Sequence, residues 1–320
     1  MHEYLASPSQ ANDVIYSVKA ASDAFPEISK QFVVVGHSQG GGAAVPVISQ
    51  GPLGCERTDK SRDKSDDRLR PGCVPLGGKG RCAISHLKAT SKKEVRIEGA
   101  WAVAQREAAH PSPGYLGAIA ISPYTSFLRE EGKFAPLMGV AMCRGIASSM
   151  SGFDPKDILT PEGEKRVAIM FQSHAGVAAA MALFAQGDLI RADWKENPHI
   201  HQFGLLTDNG GKDLRGPLLV IHGECDPMNS PSAVREAAGK TADLFPSAQL
   251  ELVWLPRVTH APAMGASQRL WMDWIADRFG GVEVKSGYKE SQLASARPAT
   301  AYHKEQNWYL EAASKFYHTP

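Results

Sequence analysis

At 320 residues the chain is long enough for one or two domains of roughly 150 residues each and a sizeable buried core. Its 43% hydrophobic and 22% charged residues are those of an ordinary globular protein, which excludes disorder as the main state. With 35 Lys or Arg against 34 Asp or Glu, the net charge of +1 is too small for a nucleic-acid or anionic-membrane binder driven by bulk charge, so a small molecule is the expected partner.

No apolar run reaches the roughly 18 residues of a membrane-spanning helix. The opening Met1-His2-Glu3-Tyr4-Leu5-Ala6-Ser7-Pro8 lacks the basic start and apolar stretch of a secretory signal. Three of the five cysteines (Cys55, Cys73, Cys82) sit in one segment, leaving Cys143 and Cys225 elsewhere. Neither a disulfide framework nor zinc-ligand spacing follows, and no metal or cofactor is expected.

Along the chain, Val14, Ile15, Val18, Ala21 and Phe25 recur at helical spacing, predicting a helix from Pro8 to Phe25 with Ser7, Pro8 and Gln10 as N-cap, N1 and N3. Phe32-Val33-Val34-Val35, ending at Gly36, predicts a central parallel strand buried on both faces. Leu116–Ile121, Pro217–Ile221 and Leu250–Trp254 share that character. Helices are predicted over Ser230–Leu244, with Pro231 at N1, and Ala266–Phe279, with Leu270, Trp271, Trp274 and Ile275 on one stripe. Strands alternating with helices predict an α/β fold around a parallel sheet.

From Tyr124 to Lys212 no good strand is found. Helical patterns run through Phe134, Leu137, Met138, Ala141 and Met142, through Val167, Met170 and Phe171 after Thr160-Pro161, and over Val177–Ala185. They read as a helical cap over the sheet. Val45–Gly99 is different in kind: 12 Lys or Arg against 7 Asp or Glu, four prolines and no sustained periodicity predict a poorly ordered, solvated insertion. The expected organisation is therefore a core of 1–44, 101–123 and 213–280, an insertion at 45–100, a cap at 124–212 and a tail at 281–320. In that tail, Tyr302–Tyr317 reads as a last docked helix or a mobile end.

Gly36-His37-Ser38-Gln39-Gly40, then Gly41 and Gly42, matches G-x-S-x-G directly after a buried strand and before a small-residue stretch read as a helix start. Glycines beside a serine on so sharp a turn let Oγ project into a cleft, and a helix N-terminus beyond it offers N–H groups to an oxyanion. The bland alternative is a structural turn. A serine hydroxyl needs a base to take its proton and a carboxylate to orient that base. In the order Ser, Asp, His, the candidates are Asp226, after the Pro217–Ile221 strand, and His260, after the Leu250–Trp254 strand, read as the last. Glu224 is the nearest rival to Asp226, whose own bland reading is an Asp-Pro turn. His110, His174, His199 and His201 read as packing or surface residues, and His222 as structural.

Together these residues resemble the fungal secretory lipases of the α/β-hydrolase superfamily, the group that includes the lipase A type of enzyme. The matching pieces are Asn12–Ala21, Gly36–Ala44, Gly114–Gly117, Gly216–Asp226 and Thr259-His260-Ala261-Pro262 with its Trp-rich following helix. The resemblance implies an α/β-hydrolase fold and a secreted enzyme without a metal or cofactor, hydrolysing carboxylic esters of fatty acyl glycerols. It implies Ser38 as nucleophile, His260 as general base and acid, Asp226 as its orienter and the Gln39 backbone N–H as one oxyanion donor.

Two departures from the family pattern stand out. The family pattern puts several strands, and the loop giving the second oxyanion donor, before the elbow strand, where only one helix is read here; a bare apolar sheet edge and a loss of about 10² to 10³ in turnover are the expected consequences. The basic segment also interrupts the helix expected after the elbow; removing it joins Gly40–Ala44 to Trp101–Ala109. Val45 to Ala100 thus reads as a translated intron and Met1 as an internal or misassigned start. The competing readings are a catalytically impaired chain without enzyme activity and a serine peptidase or amidase of the same fold.

Overall fold

The computed structural model describes residues 7–38, 43–50, 98–129, 134–174, 177–293, 302–303 and 308–309. The chain divides into two units, Met1–Gly51 with Ile97–Pro320 and Pro52–Arg96. The second unit, where most of the expected insertion falls, lies outside the described residues.

Helix α1 spans Ser7–Ala24, β1 Ile28–His37, β2 Ala43–Gln50, β3 Glu98–Gly99, α2 Ala100–Ala109 and β4 Tyr115–Ile121. Four helices follow: α3 (Phe134–Ser149), α4 (Pro161–Gln172), α5 (Val177–Phe184) and α6 (Pro198–Thr207). Then come β5 (Leu218–Gly223), α7 (Pro231–Leu244), β6 (Gln249–Leu255), α8 (Pro262–Ala266), α9 (Gln268–Phe279), β7 (Gly287–Gln292) and the two-residue strands β8 (Tyr302–His303) and β9 (Trp308–Tyr309). The sheet order is β3-β2-β1-β4-β5-β6-β7, with β1, β4, β5, β6 and β7 parallel.

Period-two alternation explains why the central strands read as unbroken apolar runs. Phe32, Val34, Ala118, Ala120, Leu218 and Val220 face one core, shared with α1, α2 and α7. Val33, Ile119, Ile121, Leu219 and Ile221 face the other, packed by Trp274 and Ile275 of α9. A strand covered on both faces has no polar side. The first helix begins at Ser7, which lies within its first turn rather than ahead of it. Ser230 caps α7 through the Ala233 N–H, and Thr160 caps α4 through the Gly163 N–H. The helix predicted over Ala266–Phe279 begins at Gln268, after the separate short helix α8.

Several expectations are corrected. Where a helix was predicted after the elbow, Ala43–Gln50 forms β2, antiparallel to β1, and it occupies the start of the segment expected to lack order. Pro46 disfavours a helix interior, while Val45, Val47 and Ile48 favour a strand. Pro46 stands opposite Val34, and β3 pairs only with Ala43 and Ala44, so the proline lies where β2 has a neighbouring strand on one side, a position in which a strand proline is tolerated. The edge of β1 expected to be bare is therefore covered. The tail also supplies a strand: β7 pairs with β6, so β6 is not the last, and β8 pairs with β9 where a helix was one reading. The sequence of β7, GYKESQ, is polar because an edge strand is stabilised by side-chain pairs rather than burial: Lys289 with Glu251, and Trp254 Nε1 donating to Glu290.

Helices α3 to α6 build a separate apolar cluster around Phe127, Met142, Ile146, Ile158, Ile200 and Phe203. The entry to this helical layer and its exit are tied together, Asn209 donating from its backbone to the Thr125 carbonyl (2.8 Å) and from its side chain to the Tyr124 carbonyl (3.1 Å). Arg129 adds ion pairs to Asp208 (3.3 Å) and to Glu236 of α7 (3.0 Å).

Close strand and helix packing makes Gly117 hard to replace. Its φ is +143°, and a Cβ there would lie 2.7 Å from the Pro217 carbonyl oxygen and 2.8 Å from the Trp274 ring. A Cβ on Gly239, within α7, meets nothing within 4 Å. Gly117→Ala is expected to lower unfolding free energy by about 2 kcal/mol, and Gly239→Ala to raise it by about 0.5–1 kcal/mol, both read from urea denaturation midpoints.

Candidate active site

The C-terminal ends of β1, β4, β5 and β6 meet at one edge of the sheet, where loops rather than helices decide which side chains converge. Ser38 follows β1 with φ +63°, a left-handed conformation that costs a residue with a Cβ about 1–2 kcal/mol. Two backbone hydrogen bonds hold it there: its N–H donates to the Ile121 carbonyl (2.9 Å), and its carbonyl accepts from the Tyr124 N–H (3.3 Å). The strained turn is thus hooked to the end of β4.

After β5, Gly223 lets the chain pass against the next loop, since a Cβ would lie 2.4 Å from the Val258 carbonyl oxygen. The Cys225 N–H donates to that same carbonyl at 3.0 Å, knitting the two loops together. Asp226 follows in a tight turn. Its Oδ1 accepts from the backbone N–H of Met228 (2.9 Å) and Asn229 (3.0 Å), an Asx-type arrangement that fixes the carboxylate and leaves Oδ2 for another donor.

That donor is His260. Its Nδ1 lies 2.8 Å from Asp226 Oδ2, and its Nε2 lies 2.7 Å from Ser38 Oγ. Because a carboxylate only accepts, Nδ1 carries the proton, and Nε2 presents its lone pair to the serine hydroxyl. Asp226 is 7% exposed and His260 8%. Burial alone would raise the Asp226 carboxyl, but the hydrogen bond from His260, the neighbouring imidazoles of His260 and His222, and the Asn229 N–H outweigh it and hold it below the ordinary carboxylate value. The arrangement can move a proton from an alcohol to an imidazole whose orientation is fixed by a buried anion.

The structure brings Ser38, Asp226 and His260 together. Gln39 and the glycines after it lie outside the described residues. Glu224, the rival carboxylate, is exposed and accepts from Gln292 Nε2 at 2.8 Å. His110, His174 and His201 are exposed, and His199 lies edge-on to Phe153. Among the described residues, no group of three His, Cys, Asp or Glu could hold a metal ion, and no helix is long and apolar enough to cross a membrane.

Sequence reasoning missed three supporting residues. The His37 Nε2 donates to the His260 carbonyl at 2.9 Å. Asn229 donates from its side chain to the Ser122 carbonyl (2.7 Å), and Ser122, with φ +44°, places its Oγ 3.4 Å from the His260 carbonyl. A residue three positions beyond a turn aspartate, and one closing an apolar strand, were the available signals. His222 is fully buried, edge-on to Trp254, with Nε2 3.2 Å from the Asn229 carbonyl and 3.8 Å from Asp226 Oδ2.

Burial drives the His222 imidazole down to about 4. In the unfolded chain it takes up its proton near 6.5, so as pH falls from there toward 4 the unfolded state binds more protons and stability declines. His222→Gln removes this ionisation. Urea unfolding free energy is expected to fall by about 3 kcal/mol across that window in the wild type and to change less steeply in the variant.

The sequence matches no protein-family model, and no curated protein matches it. Solved structures do. The rice cell wall degrading esterase LipA from Xanthomonas oryzae is 15% identical, with a TM-score of 0.51, covering 87% of this chain and 66% of that one. Candida antarctica lipase A in its closed state is 16% identical, with a TM-score of 0.45, covering 63% of this chain and 52% of that one. This chain therefore spans about half to two thirds of the length of these structures. At such identities the likeness concerns the fold: five parallel strands with flanking helices, the α/β-hydrolase fold.

Proposed function

We propose that this protein is a secreted serine carboxylic-ester hydrolase of the fungal secretory lipase type, acting on fatty acyl esters of glycerol. The reading is carried by one observation: a serine on a strained strand-end turn, 2.7 Å from an imidazole that is itself 2.8 Å from a buried carboxylate. The resemblance of Gly36–Ala44, Gly216–Asp226 and Thr259–Pro262 to that family supports the lipid substrate.

In this mechanism Ser38 Oγ attacks the ester carbonyl carbon as its proton passes to His260 Nε2. Asp226 stabilises the imidazolium through Nδ1–H without taking the proton. The carbonyl oxygen becomes an oxyanion, for which the Gln39 N–H is the proposed donor. Collapse breaks the ester C–O bond, and the leaving alcohol takes the proton from Nε2. Water then attacks the acyl-Ser38 ester, giving its proton to His260, and the fatty acid departs as Oγ recovers a proton.

Residues 124–212 form the proposed cap, with 1–44, 101–123 and 213–280 as the core it covers. The cap contains an open cleft of about 430 Å³ whose walls mix apolar Leu137, Val140, Phe184 and Trp194 with charged Asp188 and Arg191.

Hydrolysis of p-nitrophenyl esters tests the reading. Ser38→Ala is expected to reduce turnover by about 10⁶ and Asp226→Asn by about 10⁴, and a fluorophosphonate should label the wild type but not Ser38→Ala. Turnover or labelling that survives Ser38→Ala overturns the proposal. Across a series from acetate to palmitate, kcat/KM is expected to rise with acyl length; a decline would argue against a lipid substrate.

A further inference from the structure

We propose that His37 is a positioning residue that clamps the general base to the same turn that carries the nucleophile. The inference rests on Ser38, His260 and Asp226 forming the proposed triad and concerns how their separation is maintained.

His260 belongs to a loop after β6, and its imidazole serves two partners, Asp226 through Nδ1 and Ser38 through Nε2. Those bonds orient the ring but do not by themselves fix the backbone from which it hangs. The His260 carbonyl is held instead by side chains from two strand ends. His37 Nε2 donates at 2.9 Å, and Ser122 Oγ stands further off at 3.4 Å. The two imidazoles also pack against one another, with centroids 4.9 Å apart and planes inclined at 49°. That contact adds ring packing to the backbone anchor.

Chain connectivity gives the clamp its effect. His37 is the last residue of β1 and is bonded directly to Ser38, so any shift of the elbow carries the anchor of the base with it. The distance between Oγ and Nε2 is then set by one turn rather than by two independently moving loops. Displacement by about 1 Å in such a pair costs about 10²-fold in rate, so a backbone anchor at this place acts on catalysis without touching substrate. Burial, with the nearby His260, keeps His37 below the ordinary histidine value despite the hydrogen bond that it donates. At neutral pH it is therefore an uncharged donor that does not oppose the positive charge acquired by His260. Asp226 is the anionic group of this cluster and acts in the opposite sense.

The clamp needs an N–H at the position of Nε2, whereas simple packing needs only a ring. His37→Phe keeps the ring and removes the donor; His37→Gln loses the ring and keeps an N–H at similar reach. Both variants, made in the full chain, are read by p-nitrophenyl butyrate kinetics and by the low-field proton resonance of His260 Nδ1–H in its bond to Asp226. His37→Phe is expected to lower kcat about 10- to 100-fold with KM unchanged, and to broaden or abolish the resonance. His37→Gln is expected to keep the resonance and to restore kcat to within about threefold of wild type.

Equal impairment of both variants, or a His37→Phe protein with undiminished kcat and an intact resonance, overturns the clamp. Should His37→Phe fail to fold, a folded His37→Gln protein that has lost the resonance overturns it equally. A wild type that hydrolyses no ester and takes up no fluorophosphonate, yet whose resonance follows the expected pattern, overturns the hydrolase proposal and leaves the clamp standing.

Discussion

The contact between His260 Nδ1 and Asp226 Oδ2 is the one on which the rest of the site depends. An isolated carboxylate at this depth would be costly, and it persists because three donors meet it: two backbone N–H groups on Oδ1 and an imidazole on Oδ2. The same bond determines which ring nitrogen of His260 is left to face Ser38. Replacing His260 leaves Asp226 Oδ2 without this donor, and replacing Asp226 leaves the buried Nδ1–H of His260 without this acceptor.

The pair depends in turn on the parallel sheet. Parallel strands bring their C-terminal ends to one edge, and there β1 delivers Ser38, β5 the turn with Asp226 and β6 the loop with His260. The register that aligns Gly223 with Leu255 also aligns the two loops beyond them. Gly223 permits the approach, and the hydrogen bond from Cys225 to Val258 fixes it. Strain at Ser38 and at Ser122 is tolerated because each is tied by backbone hydrogen bonds to the neighbouring strand.

The central strands and the three converging side chains could be read in advance for physical reasons. Burial on both faces imposes unbroken apolar runs on β1, β4 and β5, and the order Ser, Asp, His along the chain reflects which strand ends can meet. Strand β7 was hidden because an edge strand stabilised by Lys289–Glu251 and Trp254–Glu290 pairs carries no apolar signature. Strand β2 was hidden because the motif before it suggested a helix, against which Pro46 and the flanking β-branched residues weighed more heavily. His37, Ser122 and Asn229 were invisible for another reason: each acts on a residue distant in sequence, and their types are common at strand ends and turns.

The bonds from Asn209 to Tyr124 and Thr125 close the helical layer into a loop whose two ends emerge side by side from the strand end and the segment leading to β5. A segment with adjoining ends can be exchanged without stretching the scaffold beneath it. The helical layer is thus joined to the sheet at one paired seam, and a foreign segment with ends at the same spacing could take its place without stretching the strands.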